Sequence, residues 1–184
     1  MERENKKGLS IAPRILHKMK ISHLLLIVLI SCSTPKKQDP PKQDIEIVNV
    51  GSKLQTQFFD ITVNKVELKS SIYTYYRRER PEPGNAYLII NTTFYNSGTE
   101  SRLITDGVIL FYIGEKQYLF DKSEVFLSEK YGLKFDQINP MTSKTTNLVY
   151  QIPIGIVGDA YYAPGRSEAD KFIFLGKIDS SSLL

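Results

Sequence analysis

Cysteine and histidine are almost absent from this chain of 184 residues, which has one cysteine and two histidines. Both histidines, His17 and His23, precede Cys32, and the residues leading to Cys32 have the layout of a cleaved secretory signal. The part that follows such a cleavage has no histidine, and its single cysteine stands at the cleavage point. This composition excludes a Ser-His-Asp triad, a Cys-His pair, a His-ligated zinc site and a disulfide.

A basic excess is also absent once the first 31 residues are set aside. The full chain has 24 basic and 20 acidic residues, but six of the basic and only two of the acidic residues precede Cys32. Subtracting them leaves 18 of each sign, so the formal charge falls from +4 to zero. The basic character that would favour nucleic acid or anionic lipid belongs to the leader, and we expect no nucleic-acid partner.

No apolar run before Cys32 is long enough to span a bilayer. The run Leu24–Ile30 has seven residues, whereas a spanning helix needs about 20. The tetrad Leu29-Ile30-Ser31-Cys32 resembles the bacterial lipobox, in which a small residue admits the signal peptidase and the cysteine thiol carries diacylglycerol. We predict a signal peptide over residues 1–31, cleavage between Ser31 and Cys32, and lipidation of Cys32. A compact signal begins better at Met19 than at Met1, so we expect the true start at Met19.

Residues 32–44 are predicted to form a lipidated cysteine followed by a flexible polar linker. Residues 33–44 contain no apolar residue, and Pro35, Pro40 and Pro41 stiffen them. At ~3 Å per residue the linker reaches about 30–40 Å from the bilayer. By resemblance to enteric lipoprotein sorting, Ser33 favours the outer membrane where the host has one, and we expect a lipid-anchored protein of the bacterial cell envelope.

Residues 45–178 have the pattern of short β-strands between Gly and Pro turns. Phe59, Ile61 and Val63 alternate, and the phase slips at Asn64-Lys65, which predicts a β-bulge. Residues 86–95 are rich in β-branched and aromatic side chains and predict a central strand. Further strands are predicted over residues 108–113, 117–120, 145–152 and 171–178, and residues 179–184 are expected to fray.

One segment departs from the strand period. Asp121 is a candidate N-cap, Glu124 follows three residues later, and Gly132 is a candidate stop, so we predict a short helix over residues 121–132. The rest of the pattern predicts an all-β sandwich.

Four stretches resemble a known family. They are the strand over residues 59–66, the central strand 87–95 running into Asn96-Ser97-Gly98, the run Ile138-Asn139-Pro140, and residues 148–153, which end in Tyr150-Gln151-Ile152-Pro153. Together they resemble the immunoglobulin-like domain of unknown function found in small bacterial lipoproteins and in a secreted mycobacterial immunogenic antigen, over about residues 50–178. Met141 departs from the pattern, since glycine is common there. The resemblance implies an immunoglobulin-like antiparallel β-sandwich and transfers no catalytic residues.

Two aromatic and basic stretches are candidate partner-binding loops, because Tyr and Arg are enriched at interface hot spots. The stretch 72–84 supplies Tyr73, Tyr75, Tyr76, Arg77, Arg78 and Arg80, and the second stretch supplies Tyr161, Tyr162 and Arg166. Their ligand would be a protein or a glycan; single-stranded nucleic acid is a weaker alternative. Each stretch could also be an ordinary solvated loop, and the two form one patch only if the fold brings them together.

The acidic residues in the middle of the chain show no chemistry-specific spacing. Asp106, Glu115, Asp121, Glu124, Glu129 and Asp136 lack the spacing of a calcium loop, and no two are singled out as a glycosidase pair. We therefore expect no metal and no cofactor. Three functions stay open: a non-catalytic lipid-anchored binding module, an envelope hydrolase that uses carboxylates or Lys and Tyr, and a structural or immunogenic surface protein without a dedicated ligand.

Overall fold

Alternation of inward and outward side chains organises the chain into two packed β-sheets. The computed structural model describes residues 44–105, 107–121, 123–124, 126, 130–132, 137–165 and 170–183. These residues form thirteen strands and one 3-10 turn, Ser181–Leu183. The strands are β1 Glu46–Asn49, β2 Lys53–Gln55, β3 Phe59–Lys69, β4 Ile72–Tyr73, β5 Arg78–Glu79, β6 Asn85–Asn96, β7 Arg102–Leu103, β8 Val108–Ile113, β9 Lys116–Phe120, β10 Gln137–Ile138, β11 Ser143–Pro153, β12 Val157–Ala163 and β13 Lys171–Asp179.

The two larger sheets face each other as a sandwich. One has five strands in the order β1-β13-β12-β8-β9, and the other has four in the order β11-β6-β3-β2. β4 pairs with β5 and β7 with β10 in two small two-stranded sheets. The pairing of β1 with β13 is parallel, whereas the other pairings between described strands are antiparallel. The chain turns between β1 and β2 at Gly51, whose φ of 85° suits glycine.

The core lies between the sheets and confirms the predicted all-β sandwich. Phe59, Ile61 and Val63 are buried on the inner side of β3, as their alternation predicts. The register of β3 against β6 shifts between Val63 and Lys65, which confirms the predicted bulge. The five-stranded sheet contributes inner residues from three strands, namely Ile109, Phe111, Ala160, Tyr162, Ile173 and Leu175.

β6 is the central strand that its composition predicts. It pairs with β3 from Tyr87 to Asn96 on one side and with β11 from Asn85 to Tyr95 on the other. Leu88 and Ile90 face the main core, while Tyr87 and Ile89 face the opposite side of the sheet. There they form a second buried cluster with Ile72, Phe126 and Val149. The sandwich thus has apolar packing on one outer face as well as between its sheets.

The short helix predicted over residues 121–132 is wrong for the residues described there. Ser123 forms an isolated bridge to Tyr150, and Tyr131 forms one to Asn147. The amide of Glu124 donates to the carbonyl of Val149 at 2.6 Å. β11 is the outermost strand of its sheet, and this segment satisfies part of its open backbone edge. Asp121 and Glu124 therefore do not cap a helix, because the described residues of this segment pair with the edge of β11 instead.

β12 is a strand where the sequence predicts a loop. It lies third of five in its sheet, between β13 and β8. Gly158 and Asp159 disfavour a strand by propensity, so the pattern was not visible in the sequence. Gly158 is nevertheless required, because a Cβ there would stand 2.5 Å from the carbonyl oxygen of Tyr112 on β8.

Ser180 falls in the tail that the sequence predicts to fray, yet it is fully buried. Its hydroxyl donates to the carbonyl of Pro153 at 2.9 Å. The predicted signal, lipidation site and linker lie in residues 1–44, of which only Asp44 is described. Among the described residues, no helix has the length and apolar character to cross a membrane.

Candidate functional site

The first Tyr and Arg stretch folds into a small hairpin, which we call the Tyr/Arg hairpin (residues 72–80). In it β4 pairs with β5, with Ile72 opposite Glu79 and Tyr73 opposite Arg78. Thr74 closes the turn, because its amide and its hydroxyl both donate to the carbonyl of Arg77, at 3.0 and 2.9 Å. A hydroxyl that bonds the backbone three residues on is a usual way to stabilise a tight turn. The loop therefore has a defined conformation.

The hairpin is fixed to the sandwich by one apolar side chain. Ile72 is 1% exposed and packs in the second cluster against Tyr87, Ile89 and Val149. Successive residues of a strand point to opposite faces, so Tyr73 points away from the sheet. Because Ile72 is buried, the next residue, Tyr73, is exposed to solvent.

The three hairpin tyrosines are among the most exposed large side chains described. Tyr73, Tyr75 and Tyr76 are 71%, 68% and 83% exposed. The guanidinium carbon of Arg78 lies 5.4 Å from the centre of the Tyr73 ring, a cation–π distance. Arg78 is held there because its Nε donates to the Ser71 hydroxyl at 2.8 Å. The hairpin therefore presents aromatic rings and a partly ordered cation together.

Arg77 is paired within the hairpin. Its Nε donates to the Glu79 carboxylate at 2.6 Å, and this hydrogen bond with the associated charge attraction raises the pKa of Arg77. The pair is exposed on the Arg77 side, so water screens it and its contribution to stability is small. Arg77 therefore orients the hairpin locally and keeps its charge at any physiological pH.

A groove of about 690 Å³ runs beside the hairpin. Tyr76, Arg77, Glu79 and Arg80 line it from the hairpin side, and the opposite wall comes from other segments, with Glu82, Tyr87, Glu124, Phe126 and Gln151. Aromatic, cationic and anionic groups thus surround one concave surface. Glu124, Phe126 and Gln151 are far from the hairpin in the sequence, and only the tertiary structure brings them to it.

Gln151 organises the polar wall of the groove. Its amide oxygen accepts a bond from the backbone N–H of Glu82 at 2.8 Å, and its amide nitrogen donates to the Glu124 carboxylate at 2.8 Å. Burial raises the pKa of Tyr87, and the negative charges of Glu124 and Glu79 add to this effect. Tyr87 therefore stays neutral in the groove at physiological pH.

The second Tyr and Arg stretch does not join the hairpin. Tyr161 is paired opposite Phe174 in the five-stranded sheet and contacts it at a ring distance of 5.0 Å, whereas the hairpin packs on the outer side of the four-stranded sheet. Tyr162 is completely buried in the main core, which corrects its assignment as a partner-binding residue. Arg166, Ser31 and Cys32 lie outside the described residues.

No group of three or more His, Cys, Asp or Glu side chains is arranged for a metal ion in the part of the chain that the structure describes. Two of the three carboxylates that line the groove are hydrogen-bonded to neighbouring side chains. Glu79 accepts from Arg77, and Glu124 accepts from Gln151. The groove is therefore lined by polar and aromatic side chains, with two of its carboxylates already paired.

A family profile described as "Domain of unknown function (DUF4352)" matches residues 48–164, which contain both the hairpin and most of the sandwich. The chain belongs to the DUF4352 family. This agrees with the domain of unknown function that the sequence resembles, and the DUF4352 match begins near the start of the sandwich. No curated protein matches this chain.

Solved structures are similar to this chain at low sequence identity. An uncharacterized β-sandwich protein from Clostridium difficile 630 matches with a TM-score of 0.55 and 14% identity, covering 77% of this DUF4352 chain and all of that one. A candidate lipoprotein, ycdA from Bacillus subtilis, matches with a TM-score of 0.45 and 16% identity, covering 70% of this chain and 38% of that one. The yjhA protein of Bacillus subtilis has a TM-score of 0.45 and 19% identity, with 70% and 98% covered. The first of these supports the sandwich fold.

Proposed function

We propose that this DUF4352 protein is a lipid-anchored lipoprotein of the bacterial cell envelope that displays a non-catalytic, immunoglobulin-like module and binds a protein or a glycan. The binding surface is the Tyr/Arg hairpin with its adjoining groove. The observation that carries the proposal is the exposure of Tyr73, Tyr75 and Tyr76, each above two thirds, on a loop whose base is buried.

The ordering of the hairpin supports a binding role. Association loses affinity when it must immobilise flexible side chains and loops. Here the turn is closed by Thr74 and the base is docked through Ile72, so part of that ordering already exists in the free protein. Tyr and Arg offer large contact area with polar ends, which suits both protein surfaces and glycans.

The lipid anchor rests on the sequence. Leu29-Ile30-Ser31-Cys32 has the order of residues that lipoprotein processing requires, after a short apolar run. Diacylglycerol supplies two acyl chains, and two chains meet the requirement for stable anchoring. The outer membrane is the proposed location where the host has one, because Ser33 follows Cys32.

An envelope hydrolase is the alternative, because the groove gathers the carboxylates of Glu79, Glu82 and Glu124. Glu79 and Glu124 are bonded to neighbouring side chains, which favours a structural role for them. Glu82→Gln and Glu124→Gln separate the two functions. A hydrolase would lose turnover of envelope glycans in either variant, whereas a binding module would show no turnover in the wild type.

The hairpin is tested by replacing Tyr75, Tyr76, Arg77 and Arg78 together with Ala. The wild-type and variant chains are expressed at equal levels, and partners are crosslinked on intact cells and identified after purification. Tyr118→Ala is the matched control, since Tyr118 is also exposed but lies on β9. We expect the fourfold variant alone to lose its specific partner or glycan, with its melting temperature nearly unchanged.

Two results would contradict the binding role. A large fall in melting temperature would mean that the hairpin side chains are structural. A wild type that captures nothing beyond the fourfold variant would favour a surface protein without a dedicated ligand. The anchor is tested separately with Cys32→Ser, which should release the protein from the membrane fraction; a variant that stays with lipid would refute it.

A further inference from the structure

The outer side of the five-stranded sheet carries an aromatic face, defined by Ile45, Ile47, Tyr112, Leu119, Tyr161, Phe172 and Phe174. Strand pairing places these side chains together: Ile47 is opposite Phe172, and Tyr161 is opposite Phe174. The rings of Tyr112 and Tyr161 meet edge to face at 5.5 Å, and those of Tyr161 and Phe174 lie 5.0 Å apart. The residues between them along the strands, such as Ile173 and Phe111, point into the core.

Much of this face is open to solvent. Ile45, Ile47 and Leu119 are 66%, 54% and 56% exposed, and Tyr112 is 43% exposed. A shallow groove of about 190 Å³ is lined by Ile45, Ile47, Tyr112, Tyr161 and Phe172, all of them apolar or aromatic. A contiguous apolar surface of this kind is a usual mark of an interaction site.

We propose that the aromatic face rests on the lipid bilayer surface. This rests on the proposed lipid anchor and extends it, because it assigns a membrane-facing side to the domain. The chain passes from the linker into the sandwich at Ile45, which itself belongs to the face. Only the linker, residues 33–44, therefore separates the lipid-bearing Cys32 from Ile45, the first residue of the face.

The linker favours the bilayer as the occupant. Its twelve residues contain no apolar side chain that could cover the face. At ~3 Å per residue it confines the domain to within about 40 Å of the membrane. Such a tether raises the effective concentration of the bilayer at the face, so that a contact too weak to bind free protein becomes populated.

The chemistry of the face also fits an interface between water and lipid. Aliphatic side chains can enter the headgroup region, and the rings of Tyr112 and Tyr161 have an apolar body with a polar end, as residues at membrane surfaces do. The ammonium group of Lys171 lies 3.6 Å from the carboxylate of Glu46, its partner on β1, so these two charges beside the face offset each other. We therefore expect contact with zwitterionic lipid as readily as with anionic lipid.

Contact between the aromatic face and lipid would also orient the Tyr/Arg hairpin. The aromatic face and the Tyr/Arg hairpin lie on opposite outer sides of the sandwich. A domain that rests on lipid through the first presents the second away from the membrane, toward a partner.

The chain has no tryptophan, so single tryptophans can report on each side. Tyr112→Trp places the reporter on the aromatic face, and Tyr76→Trp places a matched control on the hairpin. Each lipidated mature chain, residues 32–184, is reconstituted into phosphatidylcholine vesicles whose acyl chains carry bromine, a short-range quencher. We expect at least about twofold stronger quenching at position 112 than at position 76, because interfacial side chains penetrate only about 5–10 Å.

A second variant tests the face itself. Ile45→Ser with Ile47→Ser, added to Tyr112→Trp, should leave the protein on the vesicles through its lipid and reduce the quenching to the level of position 76. Equal quenching at the two positions, or quenching that survives the serine substitutions, would overturn the proposal. A concentration-dependent dimer whose reporter is shielded without lipid would overturn it too, because a second copy would then cover the face.

The same measurements separate this proposal from the proposed function. Failure of the hairpin to capture a partner leaves the quenching at position 112 unchanged. Failure of the anchor appears as Cys32→Ser protein that remains with membranes even when Ile45→Ser and Ile47→Ser are added, because the aromatic face can then no longer hold the protein on lipid.

Discussion

The two outer faces of the sandwich differ in how they treat apolar residues. On the four-stranded sheet, Tyr87, Ile89 and Val149 are covered by the chain itself, through Ile72 and Phe126. On the five-stranded sheet, no described residue covers the aromatic face to the same degree, and Ile45 and Ile47 remain more than half exposed. The apolar residues on the outer face of the four-stranded sheet are therefore buried, whereas those on the outer face of the five-stranded sheet are largely exposed to solvent.

Elsewhere on the outer face of the four-stranded sheet, polar side chains hydrogen-bond to one another across the strands; we call them the polar ladder (Asn64, Asn91, Thr93, Thr145 and Asn147). The Asn64 amide donates to Asn91 at 3.0 Å, and the Asn91 amide donates to Asn147 at 2.8 Å. The hydroxyls of Thr93 and Thr145 share a bond of 2.7 Å. Cross-strand pairs of this kind stabilise a sheet. The polar ladder uses its hydrogen-bonding groups internally, which is why we place the proposed interaction surfaces on the aromatic face and on the hairpin.

The largest expected effect comes from one pair of matched truncations. Ile72→Ala removes a buried side chain from the covered face and should destabilise the protein by about 2–4 kcal/mol. Ile47→Ala on the aromatic face should change the free energy of unfolding by less than about 0.5 kcal/mol. Urea denaturation in the absence of lipid measures both. Equal small effects would show that docking of the hairpin adds nothing to stability.

A smaller effect is expected from the polar ladder. Asn91→Ala removes the acceptor of Asn64 and the donor to Asn147, and should cost about 1–2 kcal/mol. Tyr161→Phe, which removes only a hydroxyl from the aromatic face, should stay within about 0.5 kcal/mol. Thermal unfolding compares the two variants. If Asn91→Ala left the stability of the protein unchanged, water would replace these hydrogen bonds without loss of stability.

The smallest effect is a pH dependence at the covered face. The pKa of Tyr87 is raised by burial, and by Glu124 and Glu79, so the unfolded chain loses this proton first as pH rises. The stabilisation is complete below the ordinary tyrosine pKa of 10.0 and is lost progressively above it. Urea unfolding between pH 8 and 11 should therefore show a steeper loss of stability for wild type than for Tyr87→Phe. Parallel curves would contradict the assignment.

Much of the fold followed from local pattern. The alternation of Phe59, Ile61 and Val63, the bulge that follows it and the central strand β6 are all as predicted, because side-chain periodicity and strand propensity act over a few residues. The failures have a common cause. β12 contains Gly158 and Asp159, which disfavour a strand, yet it lies between two partner strands. Asp121 and Glu124 are helix-capping signals, yet the described residues Ser123 and Tyr131 form bridges to β11.

The candidate site, like the fold, could be predicted only in part from the sequence. Tyr73, Tyr75 and Tyr76 were identified by residue type, and their exposure agrees with a surface role. Tyr162 was misassigned because adjacent tyrosines on a strand point to opposite faces, and only the sheet decides which one is buried. The groove wall formed by Tyr87, Glu124 and Gln151 could not be predicted, since these residues are distant in the sequence.

The sequence by itself determined the β-sandwich class, the predicted lipid anchor, and the absence of histidine after Cys32. These depend on composition and on short-range pattern, which need no knowledge of the fold. The tertiary structure alone decided that the two tyrosine-bearing stretches lie on opposite faces, and that one outer face is covered while the other is open. Those features depend on strand order and on which segments pack across it, and both arise from contacts between residues far apart along the chain.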